Sequence, residues 1–113
     1  MAIEKLNEYQ DSARETAIYP GKDTVDGLCY VSLGLGEAGE FQNQVKKILR
    51  DDKKILSEDR RQKLIDELGD ILWYVANCAS ELGIELETVA NRNVTKLNSR
   101  KERGVLTGSG DKR

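Results

Sequence analysis

Apolar residues recur at intervals of three and four along most of the chain, the mark of helices that bury one face. Ile3, Leu6, Ala13 and Ala17 share one side of a first helix, expected over about 3–18. A second is expected from about Thr24 to Arg50, capped by Thr24 or Asp23, with Phe41, Val45, Ile48 and Leu49 as its stripe. A third runs from about Glu58 to Leu82. Ser57 caps it, Glu58 and Asp59 suit the positive end of its dipole, and Gly83 stops it. Its stripe is Leu64, Leu68, Ile71, Val75, Cys78 and Leu82. A fourth runs from about Leu86 to Glu102, with Leu86, Ala90 and Leu97 on one face, and ends at Gly104. Pro20-Gly21 is the strongest break, and no strand-like alternation appears. The charged link Asp51-Asp52-Lys53-Lys54 is expected over the surface. Short links between long helices predict an all-α, antiparallel four-helix bundle. One helical domain is expected over 1–104, followed by a polar, Gly-rich tail over 105–113, extended or mobile in isolation.

The pattern contains an internal echo. Glu37-Ala38-Gly39-Glu40-Phe41 and Glu67-Leu68-Gly69-Asp70-Ile71 both read acid, apolar, glycine, acid, apolar. Each has a valine four residues further on, Val45 and Val75. At roughly 100° per residue, Glu67 lies on the edge of the third helix's stripe, with Asp70 about 60° further round. Glu37 and Glu40 take the same edge of the second helix. Packing these helices gathers four carboxylates at the margin of a core, where repulsion and lost hydration are costly. Oxygen ligands without nitrogen or sulfur suit a hard divalent ion, Mg²⁺ or alternatively Mn²⁺. The alternative is a solvated acidic face. Two readings also stand for Gly39 and Gly69: close helix packing, or room between the acids for a metal or phosphate.

Neighbouring residues extend this edge. Lys47 falls within about 20° of Glu40, two turns along, placed either to meet a phosphate or to face solvent. Asn93, Lys96 and Arg100 share an edge of the fourth helix and are candidate phosphate or sugar contacts. Tyr74 follows Asp70 by one turn, either to stack on a base or ribose or to line the core. Trp73 points to the other side of the wheel and reads as a subunit-interface residue rather than a pocket residue. A long apolar helix with more than one sticky face points to an oligomer.

Composition then removes alternatives. The 113 residues contain no histidine, which excludes Ser-His-Asp triads, histidine-held metals and the Glu–His pairs of di-iron bundles. Eighteen basic against twenty acidic residues disfavour a general nucleic-acid grip. No apolar run approaches the roughly 20 residues of a membrane span, and the N-terminus has no signal-peptide core. Cys29 and Cys78 sit in apolar stretches and read as small core residues of a reduced, cytoplasmic protein.

Gly34-Leu35-Gly36-Glu37-Ala38-Gly39-Glu40, followed by Val45-Lys46-Lys47, closely resembles the first motif of MazG-like nucleoside triphosphate pyrophosphohydrolases. Asp66-Glu67-Leu68-Gly69-Asp70-Ile71-Leu72-Trp73-Tyr74 resembles their second. Leu82 to Val89, then Asn93-Val94-Thr95-Lys96-Leu97, is similar to the segment that follows. Leu6 to Gln10 and Glu15-Thr16-Ala17 resemble the first helix. The resemblance is to the compact, single-domain kind and covers nearly the whole chain. It implies Mg²⁺ held by Glu37, Glu40, Glu67 and Asp70, and hydrolysis of a nucleoside triphosphate between the α and β phosphates. It implies that Lys47, Asn93 and Lys96 touch substrate and that the protein is a dimer or tetramer. The chain departs from many members after the fourth helix, where an Arg-Tyr-Pro type segment is replaced by a Gly-Ser-Gly turn (a lid over phosphates, or a frayed tail). A related hydrolase of dUTP or of an alarmone nucleotide uses the same acids. A non-enzymatic helical module docking a basic partner is the third reading.

Overall fold

The computed structural model describes residues 2–51 and 53–113. Asp52, inside the expected surface link, lies outside the described residues. Five α-helices and a 3₁₀ turn follow in order: α1 (Leu6–Glu15), α2 (Val25–Ser32), the 3₁₀ turn (Leu33–Gly36), α3 (Glu37–Asp51), α4 (Glu58–Glu81) and α5 (Leu86–Glu102). Among the described residues there is no strand, and no helix is long and apolar enough to cross a membrane.

The local signals explain most boundaries. Thr24 accepts from the Gly27 N–H at the start of α2, and Ser57 accepts from the Arg60 N–H at the start of α4. Gly83 takes φ +70°, and the Ile84 N–H donates back to the Ala79 carbonyl, closing α4 where expected. α1 is shorter than expected. Thr16 turns its hydroxyl onto the Ala13 carbonyl, and the chain then runs to Pro20, which disfavours helix just before it.

The expected second helix is interrupted. The backbone stays right-handed through Leu33 and Glu37, but Leu33–Gly36 tightens into a 3₁₀ turn. Two glycines weaken the α-helix here, and a contact fixes the site of the break. A Cβ at Gly34 would stand 2.0 Å from Cε1 of Tyr74, so α4 lays an aromatic ring on this backbone.

α4 is the hub. It packs on α1, α2, the 3₁₀ turn, α3 and α5, while α3 and α5 do not meet. α1 and α3 run antiparallel to it. Gln10 meets Ser80, Asn77 meets the Ala13 carbonyl and Trp73 meets Thr16, so α1 rises as α4 falls. Gln44 meets Arg60 near one end of the α3–α4 pair, and Glu37 meets Glu67 near the other. The core is small, with Ala13, Ala76 and Leu86 buried and Tyr9, Trp73 and Val75 against them.

Several expectations are corrected. The expected α4 stripe is only partly covered: Val75 packs on the core and Leu64, Ile71 and Cys78 are half-buried, but Leu68 and Leu82 are more than half exposed, whereas Ala76, Asn77 and Ala79 are buried. α4 turns its small residues to α1 because helices approach closely only where side chains are short. Ile3, Leu6 and Leu97 are likewise exposed. Trp73 packs on the core rather than waiting at an open interface. Cys29 is exposed and Cys78 half-buried, so Cys29 is not a core residue. The tail is not extended. Positive φ at Gly108 and Gly110 lets it fold back on α5. There Arg100, 4% exposed, donates to the Asp111 carbonyl at 2.8 Å, and Arg113 donates to the carbonyls of Val105 and Leu106.

The Tyr74–Gly34 contact gives a direct expectation. Gly34→Ala destabilises the protein by about 1–3 kcal/mol in urea melts, the usual cost of overpacking. The cost shrinks when Tyr74→Ala is added, since the pair couples through one contact. Additive costs would show that the ring does not hold the turn.

Candidate metal centre and adjoining cavity

Three of the four acids converge. Carboxylate oxygens of Glu37, Glu67 and Asp70 lie within 4.8 Å of one another. Glu37 and Glu40 occupy the first turn of α3, where the helix dipole favours negative charge. Glu67 and Asp70 are one turn apart on α4 and meet Glu37 because the helices run antiparallel. Glu67 is half-buried, and its Oε2 is buried without a hydrogen-bond partner among the described residues. Burial raises the Glu67 carboxyl pKa, and Glu37, Asp70 and Glu40 raise it further. Glu40 is exposed and outside the trio, yet near enough for Glu67 to feel its charge. An all-oxygen set with one orphaned buried oxygen fits a hard divalent cation. Gly39 and Gly69 are not there for close packing within this chain, since a Cβ at either would meet nothing within 4 Å.

Beside the acids lies a cavity of about 600 Å³, lined among others by Thr16, Tyr19, Tyr30, Trp73 and Tyr74. A smaller hollow of about 350 Å³ shares Thr16, Trp73 and Tyr74 with it and adds Asp70. The cavity therefore adjoins the acidic trio through Tyr74, one turn from Asp70. Tyr19 and Tyr30 stack with centroids 6.1 Å apart, and Trp73 stands edge-on to both Tyr19 and Tyr74. The Trp73 indole N–H donates to the Thr16 hydroxyl at 2.8 Å.

The remaining sequence candidates are dispersed. Lys47 is half-buried and lies near Asp51. Asn93 is exposed on α5 and borders a shallow hollow with Ile84, Val89, Arg92 and Lys96. Lys96 and Arg100 both point to the tail, each 3.4 Å from an Asp111 carboxylate oxygen.

Sequence reasoning missed a buried polar cluster behind the cavity. The Glu81 side chain is 0% exposed and accepts from Arg14 at 2.9 Å, from the Asp23 N–H at 2.9 Å and from the Tyr19 hydroxyl. Arg14 also donates to Asn77 at 3.1 Å and to Asp23 at 2.6 Å. Burial acts to raise the Glu81 pKa, but hydrogen bonds from Tyr19 and Arg14 outweigh it and leave it below the ordinary value. Burial and the bond to Glu81 push the Tyr19 hydroxyl up to about 12. A signal existed. Glu67, Asp70, Tyr74, Asn77 and Glu81 step along α4 by three, four, three and four, a polar line beside the apolar stripe.

The chain is thus an all-α fold in which acids of two helices face one another beside an aromatic cavity. Residues 29–105 match the family described as MazG nucleotide pyrophosphohydrolase domain, and the chain belongs to that family. It is 54% identical over 109 residues to the Gene 37 protein of Mycobacterium phage L5, covering 93% of this chain and 96% of that protein. No solved structure matches the chain.

The lowered Glu81 pKa gives a signed expectation. A carboxylate favoured by folding stabilises above its unfolded pKa and loses that effect as pH falls through its folded value. Glu81→Gln is therefore less stable than wild type at pH 7, and the gap closes as pH drops below about 4. Denaturant melts across that range test it. A gap that is constant with pH would mean that Glu81 is not held ionised.

Proposed function

We propose that this protein is a Mg²⁺-dependent hydrolase that cleaves nucleoside triphosphates between the α and β phosphates. The observation that carries this is the acidic trio, with its orphaned buried oxygen, beside a cavity walled by aromatic rings. Glu37, Glu67 and Asp70 would hold the cation, and Glu40 completes the ring of charge. A cation held there would neutralise the triphosphate and polarise the phosphoryl group under attack. The base stacks in the cavity, with Tyr74 bridging it to the acids. In this reading the α phosphate lies near Asp70, and Lys47, well along α3 from Glu37, is not a direct contact. Water attacks the α phosphorus, the bridging bond to the β phosphate breaks, and pyrophosphate leaves. With no histidine in the chain, a carboxylate of this ring takes the proton released by water.

Asn93, Lys96 and Arg100 are secondary contacts in this reading. Asp111 now sits on both cations, so a substrate phosphate reaches them only by displacing it. The protein works as an oligomer. Its Cα radius of gyration is 16.9 Å, against about 13 Å for a compact chain of this length. Leu68 and Leu82 remain open on α4 for a second copy to cover.

Product analysis tests the reaction. Purified protein with Mg²⁺ and a panel of dNTPs and NTPs is expected to release pyrophosphate and monophosphate. Glu67→Gln and Asp70→Asn each lower kcat by at least about a hundredfold, in line with losing electrostatic stabilisation of the transition state. Release of orthophosphate instead, or unaffected variants, would refute the assignment. Gly69→Ala separates room from folding. It raises thermal stability through helix propensity worth up to about 1 kcal/mol, and it lowers turnover by crowding the ligand space. Unchanged turnover in the more stable variant would remove that role from Gly69.

A further inference from the structure

The segment between α1 and α2 forms one wall of the cavity. Ala17 is buried at its start, but Ile18 is 93% exposed. From Tyr19 to Asp23 a polar cluster holds it. Asp23 takes φ +69°, a conformation that non-glycine residues rarely adopt. Its N–H is held by Glu81 and its carboxylate by Arg14. The Tyr19 hydroxyl is bonded to both Glu81 and Arg14, and the Arg14 guanidinium stands 5.8 Å from the Tyr19 ring centre. Asn77, 0% exposed, ties Arg14 to α4 and donates to the carbonyls of Ala13 and Trp73.

We infer that Glu81 and Arg14 form a clamp that positions Tyr19 in the cavity wall, and that stacking of a nucleobase in the cavity depends on this clamp. The inference rests on the proposed function in one respect, that the cavity takes the base. The physical argument is local. Tyr19 is the ring that joins the wall, stacked on Tyr30 and edge-on to Trp73. Its hydroxyl spends both its donor and its acceptor capacity inside the protein, so it offers the base a ring and no hydrogen bond. Removing the Glu81 carboxylate leaves the Tyr19 hydroxyl and the Asp23 N–H without their acceptor, and Arg14 loses one of its two carboxylate partners. The strained turn at Asp23 then relaxes, and the ring leaves its place. Arg14, Tyr19 and Asp23 all precede the span matched by the family, so this clamp lies at one end outside the shared domain. Glu81 is a positioning residue, acting through Tyr19.

Trp73 is the chain's single tryptophan and lines the cavity, so its fluorescence reports directly on the wall. The experiment titrates the full-length protein, in Mg²⁺, with nucleoside monophosphates and separately with inorganic tripolyphosphate. In wild type the monophosphates change Trp73 emission, and tripolyphosphate binds, by calorimetry, without doing so. Glu81→Ala weakens monophosphate binding by about tenfold, the equivalent of one lost stacking contact, with tripolyphosphate affinity unchanged. In turnover, KM for nucleoside triphosphate rises while kcat is kept. Tyr19→Phe and Glu81→Gln, which keep the ring and the side-chain shape, fall between the two. Wild-type emission that ignores monophosphates during normal turnover overturns the cavity reading and the clamp together, and leaves the hydrolase intact. Wild-type emission that responds, with Glu81→Ala binding as tightly as wild type, overturns the clamp alone. If Glu81→Ala does not fold, Tyr19→Phe and Glu81→Gln decide, and wild-type affinity in both overturns the clamp.

Discussion

Charge at the margin of a helical core has to be compensated, and α4 carries the positions where this protein meets that requirement. Glu67 and Asp70 face Glu37 across the antiparallel pair, and their mutual repulsion is relieved only by a proton or a cation. Tyr74, one turn on, rests on Gly34 and fixes where the preceding helix tightens. Asn77 and Glu81 then compensate Arg14 and tie α1 and its following loop to the same helix. The acids at one end of this line and the clamp at the other border the same aromatic cavity. Site and fold therefore share one element, and a shift of α4 alters both.

The acidic pairs were legible because two independent features agreed, equal spacing and equal placement beside an apolar stripe. Caps at Thr24 and Ser57 and the stop at Gly83 were legible because each is a local reaction of a side chain with its own backbone. What stayed hidden depends on distant partners. Helical periodicity runs unbroken through Leu33–Gly36, and the Tyr74 ring that rests on Gly34 comes from some forty residues away. Glu81 near a helix end reads as a solvated acid until Arg14, Tyr19 and Asp23 surround it. Cys29 lies between Leu28 and Tyr30, yet its own face of α2 is open. The Gly-Ser-Gly tail reads as mobile because its order comes from Lys96 and the buried Arg100 on α5, which meet Asp111, and from Arg113 bonding back to the carbonyls of Val105 and Leu106.

The buried side of α4 shows how packing chose between two apolar faces. Its leucines form the longer stripe, but α1 brings alanines, and small residues allow the backbones to approach. Ala76, Ala79 and Asn77 therefore face α1, and Asn77 makes the approach specific through the Ala13 carbonyl. A core built on alanine removes little apolar area from water, so this contact alone stabilises weakly. The leucines left outside are larger and bury more surface when covered. The same helix that carries Glu67 and Asp70 thus also carries uncovered apolar surface at Leu68 and Leu82. Association of copies along α4 would fix the rotation of that helix and, with it, the distance between Glu37 and Glu67. Were copies to associate along α4 and a cation to bind at Glu37 and Glu67, the two events would be linked through that helix, because any ligand that favours one arrangement of α4 favours everything else that arrangement binds.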